Sequence, residues 1–155
     1  MVMILALSDS PFQSKLIDGL FSEAMTLAEA ARGYFDGIGR QERESLDPVA
    51  RVAFSCESLK VTTRLMHVIA WVLTQRAVEA GEMGWTEARE PVRRLGSSPE
   101  SEERDVVELP PHARTLTWAS LDLHRRVQRL DQLADQHMPE VGPVQLLHAR
   151  LDQAF

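Results

Sequence analysis

The 155-residue sequence contains a single cysteine, Cys56. One cysteine cannot form a disulfide within the chain, and it cannot supply a metal site of the multi-cysteine kind. Cys56 lies among apolar residues that recur at helical spacing. This position predicts a buried, unreactive thiol and not a nucleophile.

The chain also lacks an excess of basic residues. Its formal net charge is −6, whereas nucleic-acid binding depends chiefly on clustered Lys and Arg side chains that neutralise phosphates. The arginine cluster Arg89, Arg93 and Arg94 is interleaved with Glu87 and Glu90. We therefore predict no nucleic-acid partner, and a dimer associated with transcription is the weakest of the functional hypotheses.

Long hydrophobic runs are missing as well. Residues 1–7, MVMILAL, are apolar but too short to cross a bilayer, and they lack the basic segment and the clear cleavage site of an export signal. We therefore expect no membrane association and a cytoplasmic location.

The motifs of common catalytic and cofactor sites are absent. The sequence has no phosphate-binding loop, no dinucleotide-binding glycine pattern and no nucleophile elbow. Metal sites in helical bundles typically use Glu-x-x-His pairs, and no such pair occurs at any of the five histidines. We interpret His124 as a helix-surface residue, and we predict no catalytic residue, no metal and no cofactor.

What the sequence does contain is helical periodicity. Apolar residues recur every three or four positions in residues 12–35, 47–80 and 112–137, which predicts three long helices. Asp47 and Pro48 mark the start of the second helix, because an aspartate caps free backbone amides and a proline fits the first turn. The predicted fold is all-α, an antiparallel three-helix bundle with one long central helix.

One domain is predicted, over residues 12–137. It lies between an N-terminal segment, residues 1–11, and a C-terminal tail, residues 138–155. Inside the domain, residues 96–111 (GSSPESEERDVVELPP) contain five acidic residues against one arginine. This composition is typical of a flexible, acidic surface loop.

The central helix carries two apolar stripes, where a helix in a simple bundle needs one. The first stripe follows a strict 4,3 spacing and is predicted to face a partner helix of the bundle. It consists of Val52, Cys56, Leu59, Thr63, Met66, Ala70, Leu73 and Ala77. The second stripe is predicted to be covered by something beyond the chain's own core, so the helix has either a central position or an oligomer interface. In a homodimer, this stripe would be the interface. Its candidate interface residues are Phe54, Val61, Leu65, Val68 and Val72.

A polar strip lies between the two stripes. It consists of Glu57, Lys60, Arg64 and His67, and it gives way to Trp71. We predict that Lys60, Arg64, His67 and Trp71, together with Trp85, contact a partner protein, because tryptophans in such places often anchor interfaces. An alternative of a different class is a ligand-binding or catalytic bundle in which Lys60, Arg64 and His67 converge on a small molecule.

Residues 46–88 (LDPVARVAFSCESLKVTTRLMHVIAWVLTQRAVEAGEMGWTEA) resemble the alphaproteobacterial family of the regulator of CtrA degradation, RcdA. The motifs that carry the resemblance are Glu57-Ser58, Thr62-Thr63-Arg64-Leu65-Met66, Trp71-Val72-Leu73, Arg76-Ala77-Val78 and Gly81-Glu82-Met83. Looser similarity in the first and last helices extends the match over most of residues 12–136.

The resemblance implies a dimeric three-helix bundle that acts, without catalysis, as an adaptor of the ClpXP protease in cell-cycle control. It implies recruitment to a ClpX-type unfoldase that is primed by a CpdR-type response regulator. It also implies the delivery of CtrA-type substrates together with a PopA-type protein that binds cyclic di-GMP.

Overall fold

The computed structural model describes residues 11–136 and residue 151. The helices are α1 (Pro11–Asp36), α2 (Ile38–Glu44), α3 (Pro48–Glu79), α4 (Trp85–Ala88), α5 (Glu103–Val107) and α6 (Pro111–Gln136), with a 3-10 turn at Pro91–Arg93. Residues 11–136 contain no strand, and the predicted all-α class is confirmed. Residues 1–10 and, except for residue 151, the predicted tail lie outside the described residues.

The long helix α3 begins and ends where the sequence predicts. The Asp47 side chain accepts a hydrogen bond from the backbone N–H of Ala50 at 2.9 Å, and Pro48 occupies the first turn. Beyond the other end, Gly81 has a φ of 73°, a left-handed conformation that costs glycine little. These two local signals set the length of the central helix.

Helix α1 runs antiparallel to both α3 and α6. Asp18 near its start pairs with Arg76 near the end of α3, at 2.9 Å. Glu23 pairs with Arg126 in the second half of α6, and Tyr34 near the end of α1 contacts His112 at the start of α6. The α1–α3 pair therefore has the predicted antiparallel direction. The α1–α6 pair differs from the prediction, because the first and last helices of an antiparallel three-helix bundle are parallel.

Helices α3 and α6 are parallel, and for this pair the antiparallel prediction is wrong. Arg64 contacts Ser120, and Trp71, about two turns further along α3, contacts Asp131, about three turns further along α6. The reason is the connection between the helices, residues 80–110, which we call the strap. The strap runs back along the α3–α6 groove, so that α6 begins at the same end of the bundle as α3.

The strap is anchored by apolar side chains. Val106 and Leu109 are buried in the core of the bundle, and Ala88 in α4 is also buried. Residues 96–111, which the composition predicts to be flexible, therefore contain a short helix, α5, and two core positions. The apolar residues between the acidic ones decide this outcome, since their burial favours an ordered path.

The second stripe of α3 forms the centre of the core. Phe54, Val61, Leu65, Val68 and Val72 are only 0–3% exposed within a single chain, so they leave no surface for a second copy, and the prediction that they form a dimer interface does not fit the structure. They pack against the apolar faces of α1 and α6. Because the two stripes of α3 are about 150° apart, helices that cover one stripe leave the other uncovered.

The uncovered stripe is the first one, which the spacing of its residues predicts to face a partner helix of the bundle. Val52, Leu59, Met66 and Leu73 are 49–68% exposed. Cys56, between them, is exposed too, and the prediction of a buried thiol is wrong. The roles of the two stripes are thus exchanged relative to the sequence-based prediction.

Candidate interaction surface

The polar strip of α3 does not face solvent, because the strap covers it. Arg64 is 0% exposed. Its guanidinium donates hydrogen bonds to the Ser120 Oγ of α6 at 3.3 Å, and to the Pro99 carbonyl and the Ser101 Oγ of the strap at 3.0 and 2.6 Å. Burial lowers the pKa of Arg64 from its usual value, and the nearby carboxylate of Glu57 opposes that shift.

Glu57 lies under the strap beside Arg64. It is 2% exposed, accepts a hydrogen bond from the Ser101 hydroxyl at 2.5 Å, and forms an ion pair with Lys60 at 3.0 Å. The Lys60 ammonium and both terminal amino groups of Arg64 therefore have partners within the chain, and the remaining donor, Arg64 Nε, is buried without one. This arrangement disfavours the ligand-binding alternative, which needs these side chains to converge on an open pocket.

Two histidines lie under the next part of the strap. His124 is buried, and its Nε2 lies 3.2 Å from the carbonyl oxygen of Gly96, so this nitrogen carries the proton that is donated. Burial lowers the pKa of His124, while the hydrogen bond to Gly96 opposes the shift. On the other side, the His67 ring packs against the Gly96 backbone so closely that a Cβ there would lie 3.0 Å from the ring. His67 therefore contacts the strap, and His124 is not the surface residue that the sequence suggests.

Trp71 shares an acceptor in α6 with an arginine of the strap. Its indole N–H donates to the Asp131 carboxylate of α6 at 2.9 Å. Arg89 of the strap donates to the same carboxylate and to the Asp131 carbonyl, both at 2.9 Å, and to Asp135 at 2.5 Å. Arg94 pairs with both aspartates. Trp71 is 4% exposed, so it supports this buried ion-pair cluster and does not anchor a second protein in this conformation.

Three of the five predicted partner-contact residues, Arg64, His67 and Trp71, thus lie in the seam between α3, α6 and the strap. Lys60 lies beside this seam, where it is partly exposed and paired with Glu57 of its own helix. Trp85, at the start of α4, is partly exposed and does not belong to that seam. The strap that covers this face belongs to the same chain and is not the partner protein that the sequence predicts.

On α3, the surface that stays open to a partner is the first stripe. It extends from Val52 to Ala77, a length of about 37 Å at 1.5 Å per residue. Shallow grooves flank its N-terminal part, one towards Asp105 of α5 and the other towards Arg43 of α2. Val49, at the same end, is 81% exposed. A contiguous exposed apolar surface of this kind is typical of a protein interaction site.

Other kinds of site find no support in the part of the chain that the structure describes. Within it, no group of three or more His, Cys, Asp or Glu side chains is arranged to hold a metal ion. None of the helices in residues 11–136 combines the length and apolar character needed to cross a bilayer.

Comparison with known proteins gives two findings. The model of a family described as a protein of unknown function, DUF1465, matches residues 8–155. Among solved structures, the chain is similar to the crystal structure of RcdA from Caulobacter crescentus CB15, with 36% sequence identity and a TM-score of 0.64. That alignment covers 77% of this chain and 90% of the other. No curated protein sequence matches the chain.

Proposed function

The chain belongs to the DUF1465 family and to the family of RcdA, and from this premise we propose that it is a non-enzymatic adaptor for regulated proteolysis. In the proposed role, it helps to deliver cell-cycle regulators of the CtrA type to the ClpXP protease in the cytoplasm. The observation that carries the proposal is the 36% identity to RcdA over 90% of that chain. Its proposed partners are a ClpX-type unfoldase primed by a CpdR-type response regulator, a PopA-type protein and a second copy of itself.

The distribution of polar and apolar groups supports an adaptor over an enzyme. The buried polar side chains of α3 are used to fix the strap, as described for Glu57, Arg64 and Trp71. The large exposed apolar residues of the same helix form a surface that suits protein contacts. An adaptor needs such a surface and needs no reacting group.

The exposed stripe also changes the position that we propose for the homodimer contact. The second stripe is the core, so a charge at Val61 or Leu65 is expected to unfold the chain, because an unpaired buried charge is strongly unfavourable. A charge at Leu59 or Met66, which are 68% and 62% exposed, is expected to leave the fold intact. We therefore propose the first stripe as the dimer surface.

The proposed function is tested by a reconstituted degradation time course. ClpXP and a CtrA-type substrate are combined with the CpdR-type and PopA-type proteins of the same organism, with and without this protein. We expect faster loss of substrate only when this protein and the CpdR-type protein are both present. An unchanged degradation rate with a folded protein would contradict the adaptor role for this substrate.

A matched pair of variants tests whether the exposed stripe is the dimer surface. Leu59→Glu places a charge in the exposed stripe, and Val92→Glu places one at a position that is 85% exposed in the strap. We expect the first variant to lose dimerisation and the second to behave like the wild type. Equal behaviour of the two variants in sedimentation would argue against the stripe as the dimer surface.

A further inference from the structure

The exposed stripe alternates between small and large side chains. In its 4,3 spacing, every second position is small, and these positions are Cys56, Thr63, Ala70 and Ala77. The positions between them are large and apolar, and they are Val52, Leu59, Met66 and Leu73. All four large side chains are 49–68% exposed. The stripe is therefore a row of knobs with gaps of regular spacing.

We propose that this stripe binds the same stripe of a second copy, with the two α3 helices antiparallel and Thr63 of each copy opposite Met66 of the other. The proposal rests on the homodimer of the proposed function, and it adds the direction and the register of the contact. The same register places Cys56 opposite Leu73, Ala70 opposite Leu59 and Ala77 opposite Val52. Each layer of the interface then contains one small and one large side chain.

The packing of side chains favours this arrangement over a parallel pair. Facing positions that alternate large and small residues fill space evenly, and interfaces pack about as densely as protein interiors. A parallel pair would set Thr63 against Thr63 and Met66 against Met66, so that thin layers and crowded layers alternate along the seam. Both arrangements have the two-fold symmetry of an isologous dimer, in which each copy uses the same surface, so the packing of the layers is what distinguishes them.

The stripe is complementary to itself, and this is why we propose a second copy of the chain as its partner. One choice of register matches all eight positions of a stripe about 37 Å long. The charged residues beside the seam do not oppose it, because Lys60 is paired with Glu57 and Arg76 with Asp18 inside each chain. Arg76 flanks the seam just before Ala77, and Ser55 flanks it just before Cys56. In the proposed register, these two flanking residues face each other across the seam, so Arg76 does not meet another cation.

Cys56 provides a direct test, because it is the only cysteine in the sequence. Cys56 and Leu73 are 17 positions apart, so in the antiparallel register the two Cys56 residues of a dimer lie about 26 Å apart along the helices. A disulfide needs Cα atoms within about 7 Å. The wild type is therefore expected to resist oxidative cross-linking, whereas Leu73→Cys is expected to form a covalent dimer through Cys56 and position 73.

The experiment treats the full chain with copper phenanthroline and reads the products on a non-reducing gel. The double variant C56A/L73C is the matched control, since it keeps the new cysteine but removes its predicted partner, and we expect no dimer band. A second pair, L59C/A70C on the C56A background, tests another layer of the same register and is expected to cross-link. Each dimer band is expected to disappear on reduction.

Sedimentation of the same unoxidised samples separates the possible failures. A wild-type dimer that cross-links through Cys56 itself would overturn the antiparallel direction. A dimer in which neither L73C nor L59C/A70C/C56A cross-links would overturn this register and leave the homodimer and the adaptor role standing. A monomer at the concentration of the cross-linking reaction would overturn both the register and the homodimer.

Discussion

Two leucines of α3 give the sharpest test of which face of the helix is the core. Leu65 is 3% exposed and packs in the core cluster, whereas Leu59, less than two turns earlier, is 68% exposed. Truncation of a buried leucine to alanine lowers the free energy of unfolding by about 2–5 kcal/mol, and we expect about 3 kcal/mol for Leu65→Ala. In a chain of this size, that loss lowers the Tm by about 6–12 °C. For Leu59→Ala, we expect a change within about 0.5 kcal/mol, the usual range for a surface site.

The assay is urea denaturation followed by circular dichroism, at a protein concentration low enough for the chain to be monomeric. An unchanged m-value shows that each variant still unfolds from the same folded state. In sedimentation at high concentration, which measures dimerisation, we expect the opposite ranking. Leu59→Ala is expected to weaken the dimer more than Leu65→Ala does. A loss of monomer stability in Leu59→Ala equal to that in Leu65→Ala would refute the assignment of the two faces.

Three further predictions concern the strap. Asp131→Ala removes the carboxylate that accepts from buried Arg89, and we expect a loss of about 3 kcal/mol with faster amide exchange in residues 82–100. In His124→Gln, the fall in Tm between pH 7.5 and 5.5 should be smaller than in the wild type. The reason is that below a pH of about 6.5 the unfolded ring binds a proton that the folded ring, with its lowered pKa, does not, so stability falls with falling pH. Gly96→Ala should cost about 1 kcal/mol, measured by urea denaturation, because the new methyl group would press on the His67 ring; no change would show that the ring can move freely.

Local signals in the sequence predict the helices well. The aspartate cap at Asp47, the proline after it and the glycine at position 81 lie within one helical turn of each end of α3. Such signals act over three or four residues and do not depend on the rest of the fold. The first and last long helices likewise begin and end within one or two residues of the predicted limits.

Periodicity cannot decide which of two apolar stripes becomes the core. It reports that Leu59 and Leu65 lie on different faces of α3, but both faces are apolar, so either could pack against α1 and α6. The choice depends on the path of the chain, because the strap occupies the groove beside the second stripe.

The burial of the polar residues of α3 is not predictable from the sequence, for a related reason. Arg64 and Glu57 have the composition of a solvated helix face, and their partners lie in the strap, 35–44 positions further along the chain. A search confined to neighbouring positions finds only the Glu57–Lys60 pair. Charged residues of a helix can therefore anchor a glycine- and serine-containing connection that lies far along the chain.

The parallel arrangement of α3 and α6 has a consequence for how the chain folds. In an up-and-down bundle, short turns bring each helix beside the preceding one, so most contacts are local and folding is fast. Here, α6 can reach α3 only after the strap, about 30 residues long, has closed a loop, compared with roughly 2–8 residues in ordinary bundles. The entropic free-energy cost of closing a loop rises by about 0.6 kcal/mol for each doubling of its length. Closing the strap therefore costs about 1–2 kcal/mol more than closing the short connection of an ordinary bundle. The α1–α3 hairpin is therefore expected to form first, with α6 and the strap joining it in a later, slower step.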